Sequence, residues 1–284
     1  MDAVPSPDNG CHLHATTVNT TCTCLPSDCG GGVGGDVRGL LTGGRRSANV
    51  TGTRLFVIGD SISEGMESKL AGLLKPDGWS LQHNPGNGDN TNYGAHCVPV
   101  WVALGQSAVA LPARSSPSVE GSSGATDDPF DVISFQFGLH DIAWDEERLR
   151  LPQYVALLTN ITSHLVAVQR RHGTKLLWVK TTPVPTVPAY GVGCNGSATV
   201  CLNPARFDAD VVLYNAAADT VMAAAVARGA KIATADLYSF VLGRCGGKPG
   251  YASCPGFQLP NNVHFTPEGW SALAGEMHRV LLTL

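Results

Sequence analysis

Arg54-Leu55-Phe56-Val57-Ile58-Gly59-Asp60-Ser61-Ile62-Ser63-Glu64-Gly65-Met66 joins two patterns within thirteen residues. Leu55 to Ile58 is an unbroken apolar run, as expected of a strand covered on both faces. After Gly59-Asp60 the spacing turns helical. The stretch therefore puts the Ser61 hydroxyl at the carboxyl end of a buried strand. Open α/β sheets bind their ligands along that edge. The plain alternative is that Ser61 only caps the helix, since Ser61-Ile62-Ser63-Glu64 reads as a capping box. The two readings are partly compatible, because a helix N-terminus offers backbone donors and a positive field to a developing anion.

Outward from this junction, short apolar runs alternate with helical ones. Further buried strands are expected at 131–137, 175–181 and 231–236, with a short one near 80–83. Helices are expected at 62–74, 152–171, 206–228 and 267–283. In 206–228, Val211, Val212, Tyr214, Ala218, Val221, Met222 and Ala225 recur at helical spacing. Alternating β and α implies a parallel sheet with right-handed crossovers. Three long loops remain, at 105–129, 182–205 and 243–263. The loop at 182–205 follows a strand and that at 243–263 leads into His264, so both should wall the carboxyl edge.

The third loop ends in Asn261-Asn262-Val263-His264-Phe265-Thr266-Pro267-Glu268-Gly269. Thr266 followed by Pro267 marks a helix start, which leaves His264 in the loop just before it. A strand-end serine and a loop histidine are the pair needed for nucleophile and base.

Composition narrows the function classes. The chain has 284 residues, 43% of them hydrophobic, enough for one sizeable core. Its net charge of −4 and 15% charged residues carry no basic footprint for nucleic acid. No apolar run reaches the roughly 18 residues of a membrane span, and the N-terminal stretch has no apolar h-region, so no intact signal peptide is expected in this sequence. Nine cysteines point to an oxidising compartment. Cys194/Cys201 and Cys245/Cys254 are spaced for local disulfides, and glycosylation sequons start at Asn19, Asn49, Asn160 and Asn195. A secreted or extracellular protein is expected. Residues 1–50 lack periodicity and read as a cysteine- and glycine-rich leader, extended or disordered, ahead of one domain at 51–284. The leader cluster Cys11, His12, His14, Cys22, Cys24 and Cys29 fits no standard zinc spacing, so no metal site is assigned. Gly30-x-Gly32-x-x-Gly35 and Gly191-x-Gly193-x-x-Gly196 neither follow a strand nor open a helix, so neither is a dinucleotide site.

On its motifs the body of the chain, roughly 52–284, resembles the SGNH or GDSL hydrolase family. Gly59-Asp60-Ser61 is similar to the first block, whose serine is the nucleophile. Asn87-Gly88-Asp89-Asn90-Thr91-Asn92-Tyr93-Gly94 resembles the second, whose glycine N–H serves the oxyanion hole; this maps to Gly88, with Gly86 the lesser choice. Gly138-Leu139-His140-Asp141 stands where the third block has Gly-x-Asn-Asp, and Asn261-x-x-His264 where the last has Asp-x-x-His. The resemblance implies a three-layer αβα sandwich with a flavodoxin-like, five-stranded parallel sheet. It also implies carboxylic ester hydrolysis without a cofactor, on Ser61 with His264 as base.

Two departures carry consequences. His140 replaces the asparagine that donates to the oxyanion, and an imidazole N–H can also donate. Asn261 replaces the acid behind the base histidine. An amide oxygen can hold the ring but cannot stabilise imidazolium as a carboxylate does. Three outcomes stay open: a Ser-His dyad oriented by a carbonyl, a substitute acid such as Asp141 or Asp236, or a weakened domain that only binds a glycan or ester. Trp144, Tyr190, Tyr251 and Phe257 are candidate wall aromatics for a small-molecule or carbohydrate ester, with small acyl groups favoured.

Overall fold

A computed structural model describes residues 52–107, 130–144, 148–186 and 205–284. The quoted junction forms strand β1, Thr53–Ile58, and helix α1, Ser61–Leu74. Then follow β2 (Trp79–His83), α2 (Thr91–Ser107), β3 (Val132–Phe135), α3 (Leu151–His172) and β4 (Lys175–Val179). The chain closes with α4 (Asp208–Ala227), β5 (Ile232–Ala235), α5 (Leu237–Arg244) and α6 (Pro267–Leu281). Two helices were not foreseen. Asn, Gly and the internal Pro99 mask the helical pattern of α2, and α5 has only eight residues.

All five strands are parallel, in the order β2-β1-β3-β4-β5. This is the flavodoxin-like order of an αβα sandwich, and its switch point lies between β1 and β3. The central strands β1, β3 and β4 are nearly all buried, which explains their unbroken apolar runs. Helices α1 and α6 pack together on one side, with α5 touching α6, while α2, α3 and α4 pack in series on the other. Trp101, Trp178, Tyr154, Phe56, Phe130 and Phe135 fill the core.

One close approach sets up the site. A Cβ on Gly65 would lie 2.5 Å from the Trp270 ring, so only glycine lets α1 meet α6 at this distance. That contact ties the helix opened by Ser61 to the helix that follows His264.

Cys245 and Cys254 are disulfide-bonded, with a Cα–Cα distance of 5.1 Å. Cys194, Cys201, Tyr190 and the whole leader with its cysteines lie outside the described residues. So do three of the four sequons; Asn160 is exposed, but it sits inside α3 with Thr162 buried, not in a loop. Helix α4 is the one described helix long and apolar enough to cross a membrane. Here it is a layer helix, burying Val211, Tyr214, Ala218 and Val221 against the sandwich.

Candidate active site

Asp60, not Ser61, is the N-cap of α1; its side chain accepts the Ile62 N–H. Ser61 is the first helical residue, so its hydroxyl is released from capping. Its own N–H belongs to the first turn, where amides have no intrahelical acceptor. The Ser61 Oγ lies 2.8 Å from His264 Nε2, across 203 residues of chain.

The histidine is held from behind by Asn262. Asn262 Oδ1 accepts the His264 backbone N–H at 3.0 Å and lies 2.8 Å from the ring Nδ1. A backbone amide can only donate, so the atom it faces is the amide oxygen. That same oxygen therefore requires a proton on Nδ1, which leaves the Nε2 lone pair facing Ser61. The orienting residue expected was Asn261. Its φ of 50° instead turns the chain, and the next side chain folds back two residues onto His264. An Asx turn immediately before a histidine was a readable signal for Asn262. The rest of the loop is pinned by the Leu259 N–H to the His264 carbonyl and by a Gln258–Phe265 bridge. Burial holds the His264 imidazole below its ordinary range; Arg206 and His140 push the same way, and Asp60 opposes them.

Neither substitute acid serves the histidine. Asp141 is fully buried, with its Oδ1 accepting both the N–H and the hydroxyl of Thr91. Burial pushes it up to about 6 against those bonds. Asp236 caps α5 through the Ser239 N–H and pairs with Lys180.

The oxyanion donors also need revision. The Gly88 N–H is donated to the Gly59 carbonyl at 2.8 Å, and a Cβ at 88 would lie 2.6 Å from that oxygen. Gly88 is therefore a close-packing glycine against the Gly59–Ser61 turn, with its N–H already engaged. Gly86 accepts from Asn84 Nδ2 through its carbonyl, at a φ of 62°. His140 remains near the site, its Nδ1 3.3 Å from Asp89 Oδ1. Its charge acts on His264. Arg206, which no motif announced, donates from Nε to the Leu139 carbonyl, and its charge acts on Asp89, His140 and His264.

No protein-family model matches the chain, and no curated protein matches it in sequence. Its fold does have solved relatives. A GDSL-like lipase from Bacteroides thetaiotaomicron superposes with a TM-score of 0.56 at 12% identity, covering 87% of this chain and 95% of that one. The chain has the SGNH/GDSL hydrolase fold. A Bacteroides fragilis protein named for acylhydrolase activity superposes with a TM-score of 0.53 at 16% identity, covering 83% and 92%. A looser likeness, TM-score 0.45 at 12% identity over 81% of this chain and 99% of that one, runs to a carbohydrate acetylesterase from Sinorhizobium meliloti.

Within this fold, the segment after His140 carries an exposed aromatic. Trp144 is 54% exposed, with Arg148 stacked on its ring and Phe207 edge-on to it. Its Nε1–H donates to Asp210. The other two described wall candidates are engaged elsewhere: Tyr251 is buried on Gln258, and Phe257 packs on Phe265.

Proposed function

We propose that the protein is a serine-dependent carboxylic ester hydrolase. One observation carries the reading: the Ser61 hydroxyl meets a His264 nitrogen whose lone pair is fixed toward it by Asn262. His264 takes the Ser61 proton as the oxygen attacks the ester carbonyl. The alkoxide leaves with that proton, and water then releases the acid from the acyl-serine. The first-turn N–H of Ser61 and the His140 ring are the donors offered to the tetrahedral oxyanion. The fold, shared with a lipase, supports the reading.

Asn262 sets the rate class. In serine proteases the Asp-to-Asn exchange at this position costs about 10⁴, chiefly through the wrong tautomer. Here the backbone N–H of His264 fixes the amide the right way round, so the tautomer survives and only the stabilisation of imidazolium is lost. The same missing carboxylate favours a second reading, a domain that binds esters or glycans without cleaving them.

The substrate proposed is a small acyl ester, with acetyl on a sugar as its carbohydrate form. The exposed Trp144, four residues after His140 in the chain, suits a flat, partly apolar alcohol group. A secreted setting is proposed as well, supported by the Cys245–Cys254 disulfide. A panel of p-nitrophenyl and sugar esters of rising acyl length tests this. Turnover should be greatest for acetyl and should vanish in Ser61→Ala. Equal rates in Ser61→Ala would end the hydrolase reading.

A further inference from the structure

The second and third sequence blocks are stitched together by two adjacent pairs. Thr91 binds Asp141, and two residues earlier Asp89 faces His140. Asp89 is held for this contact. It adopts a left-handed φ of 54°, and its N–H is taken by Asn87 Oδ1 at 2.9 Å. A carboxylate on Nδ1 has a consequence for the other ring nitrogen. If the ring turns a proton on Nδ1 toward the Asp89 carboxylate 3.3 Å away, a neutral ring leaves Nε2 with a lone pair. A lone pair cannot stabilise an oxyanion. Only the doubly protonated ring can satisfy Asp89 and donate from Nε2 at the same time.

We propose that Asp89 is a positioning residue that keeps His140 an imidazolium, so that the Nε2–H is a cationic oxyanion donor. This inference rests on the hydrolase reading and adds to it a requirement for two histidines in opposite protonation states. The surroundings favour the division. Asp89 from the β2–α2 loop, Asp60 from the β1–α1 turn and Asp141 on the same loop present negative charge to His140. Arg206, ahead of α4, and His264, ahead of α6, oppose it. Burial pulls the His140 ring down, but the carboxylate of Asp89 3.3 Å from Nδ1 and the charge of Asp60 outweigh it, leaving the ring above its ordinary range. His264 is displaced the other way. Environments that push two titrating groups apart are how a site assigns acid and base roles at one pH.

The rate should then follow a bell. It rises as His264 deprotonates below its ordinary range and falls as His140 deprotonates above its own. The test is kcat/KM for p-nitrophenyl acetate against pH in the wild type, Asp89→Asn, His140→Asn and the double variant. Asn tolerates left-handed backbone, and its amide oxygen still accepts Nδ1–H, so Asp89→Asn should fold. Its alkaline limb is expected to move down by at least about one pH unit, since a paired carboxylate shifts its partner by about 1–3. The rate at pH 8 should drop by about tenfold or more. His140→Asn supplies a donor that does not titrate, so its alkaline limb should be absent. Adding Asp89→Asn to it should then change nothing further. A histidine ring NMR titration reads the His140 midpoint directly, and this midpoint should fall in Asp89→Asn. Turnover with an unmoved alkaline limb, or an unmoved midpoint, would overturn this inference alone. No wild-type turnover at any pH would take down the hydrolase reading and the donor assignment with it.

Discussion

Asn262 decides which nitrogen His264 turns toward Ser61. Its oxygen is read by the His264 backbone N–H and the ring Nδ1 together, so Asn262→Asp should keep the geometry and add a charge. A carboxylate favours imidazolium and raises the His264 pKa. The acid limb of the rate profile should therefore move to higher pH by about one unit or more, with turnover on the plateau equal or higher. Asn261→Asp should leave that limb nearly in place, because another side chain occupies Nδ1. A stopped-rate pH series on both variants checks the contrast; the opposite ranking would restore Asn261 to the role. At this scale Ser61 and His264 were legible because each sits in a strand-to-helix or loop-to-helix pattern. Asn262 was missed by matching a four-residue motif instead of asking which acceptor a loop amide two residues away could find. Arg206 carried no signal, since its place depends on loops meeting in space.

The elements have to bring a residue after β1 to one before α6. Gly65 is where α1 and α6 touch, against Trp270. Gly65→Ala should cost about 1–3 kcal/mol by overpacking and lower kcat/KM more than its stability loss explains, as the Ser61–His264 distance opens. Urea melts beside kinetics at a temperature where both proteins are folded separate the two effects. Trimming Trp270 to Leu in the Gly65→Ala chain should recover part of each. The disulfide between the end of α5 and the loop leading to His264 is a second device. The Cys245→Ser, Cys254→Ser pair should lose about 2–3 kcal/mol, the loop-entropy scale for so short a ring. Unchanged urea midpoints would show that the loop is held by its hydrogen bonds alone. The buried strands were readable because parallel strands covered on both sides are continuous apolar runs. Helix α2 was not, because Pro99 and the Asn-rich start conceal a helix kept by packing.

Over the whole molecule, the β2-β1-β3-β4-β5 order places Ser61 and His140 just after the two strands flanking the switch point. The alternating pattern forecast a parallel sandwich, and the resemblance carried by the motifs forecast its flavodoxin-like, five-stranded form, which is the order observed. This architecture buries Asp141 beneath the site at a folded pKa of about 6, above the roughly 3.9 of an unfolded Asp. Between those values the native state holds the extra proton, so this group's contribution to stability declines as pH rises from about 4 to 6. Asp141→Asn keeps the oxygen that accepts from Thr91 and removes the charge. Its urea midpoint relative to wild type should rise between pH 4.5 and 7, by up to about 2 kcal/mol. A constant difference across that range would show that Asp141 ionises freely in the fold. The account as a whole turns on nucleophilicity at one oxygen. The direct measurement is intact-protein and peptide mass spectrometry after exposure to a small alkyl fluorophosphonate. One adduct per chain, on the peptide bearing Ser61 and absent in His264→Ala, is the predicted result. A folded wild-type chain that takes no adduct, or takes it at another residue, would contradict it.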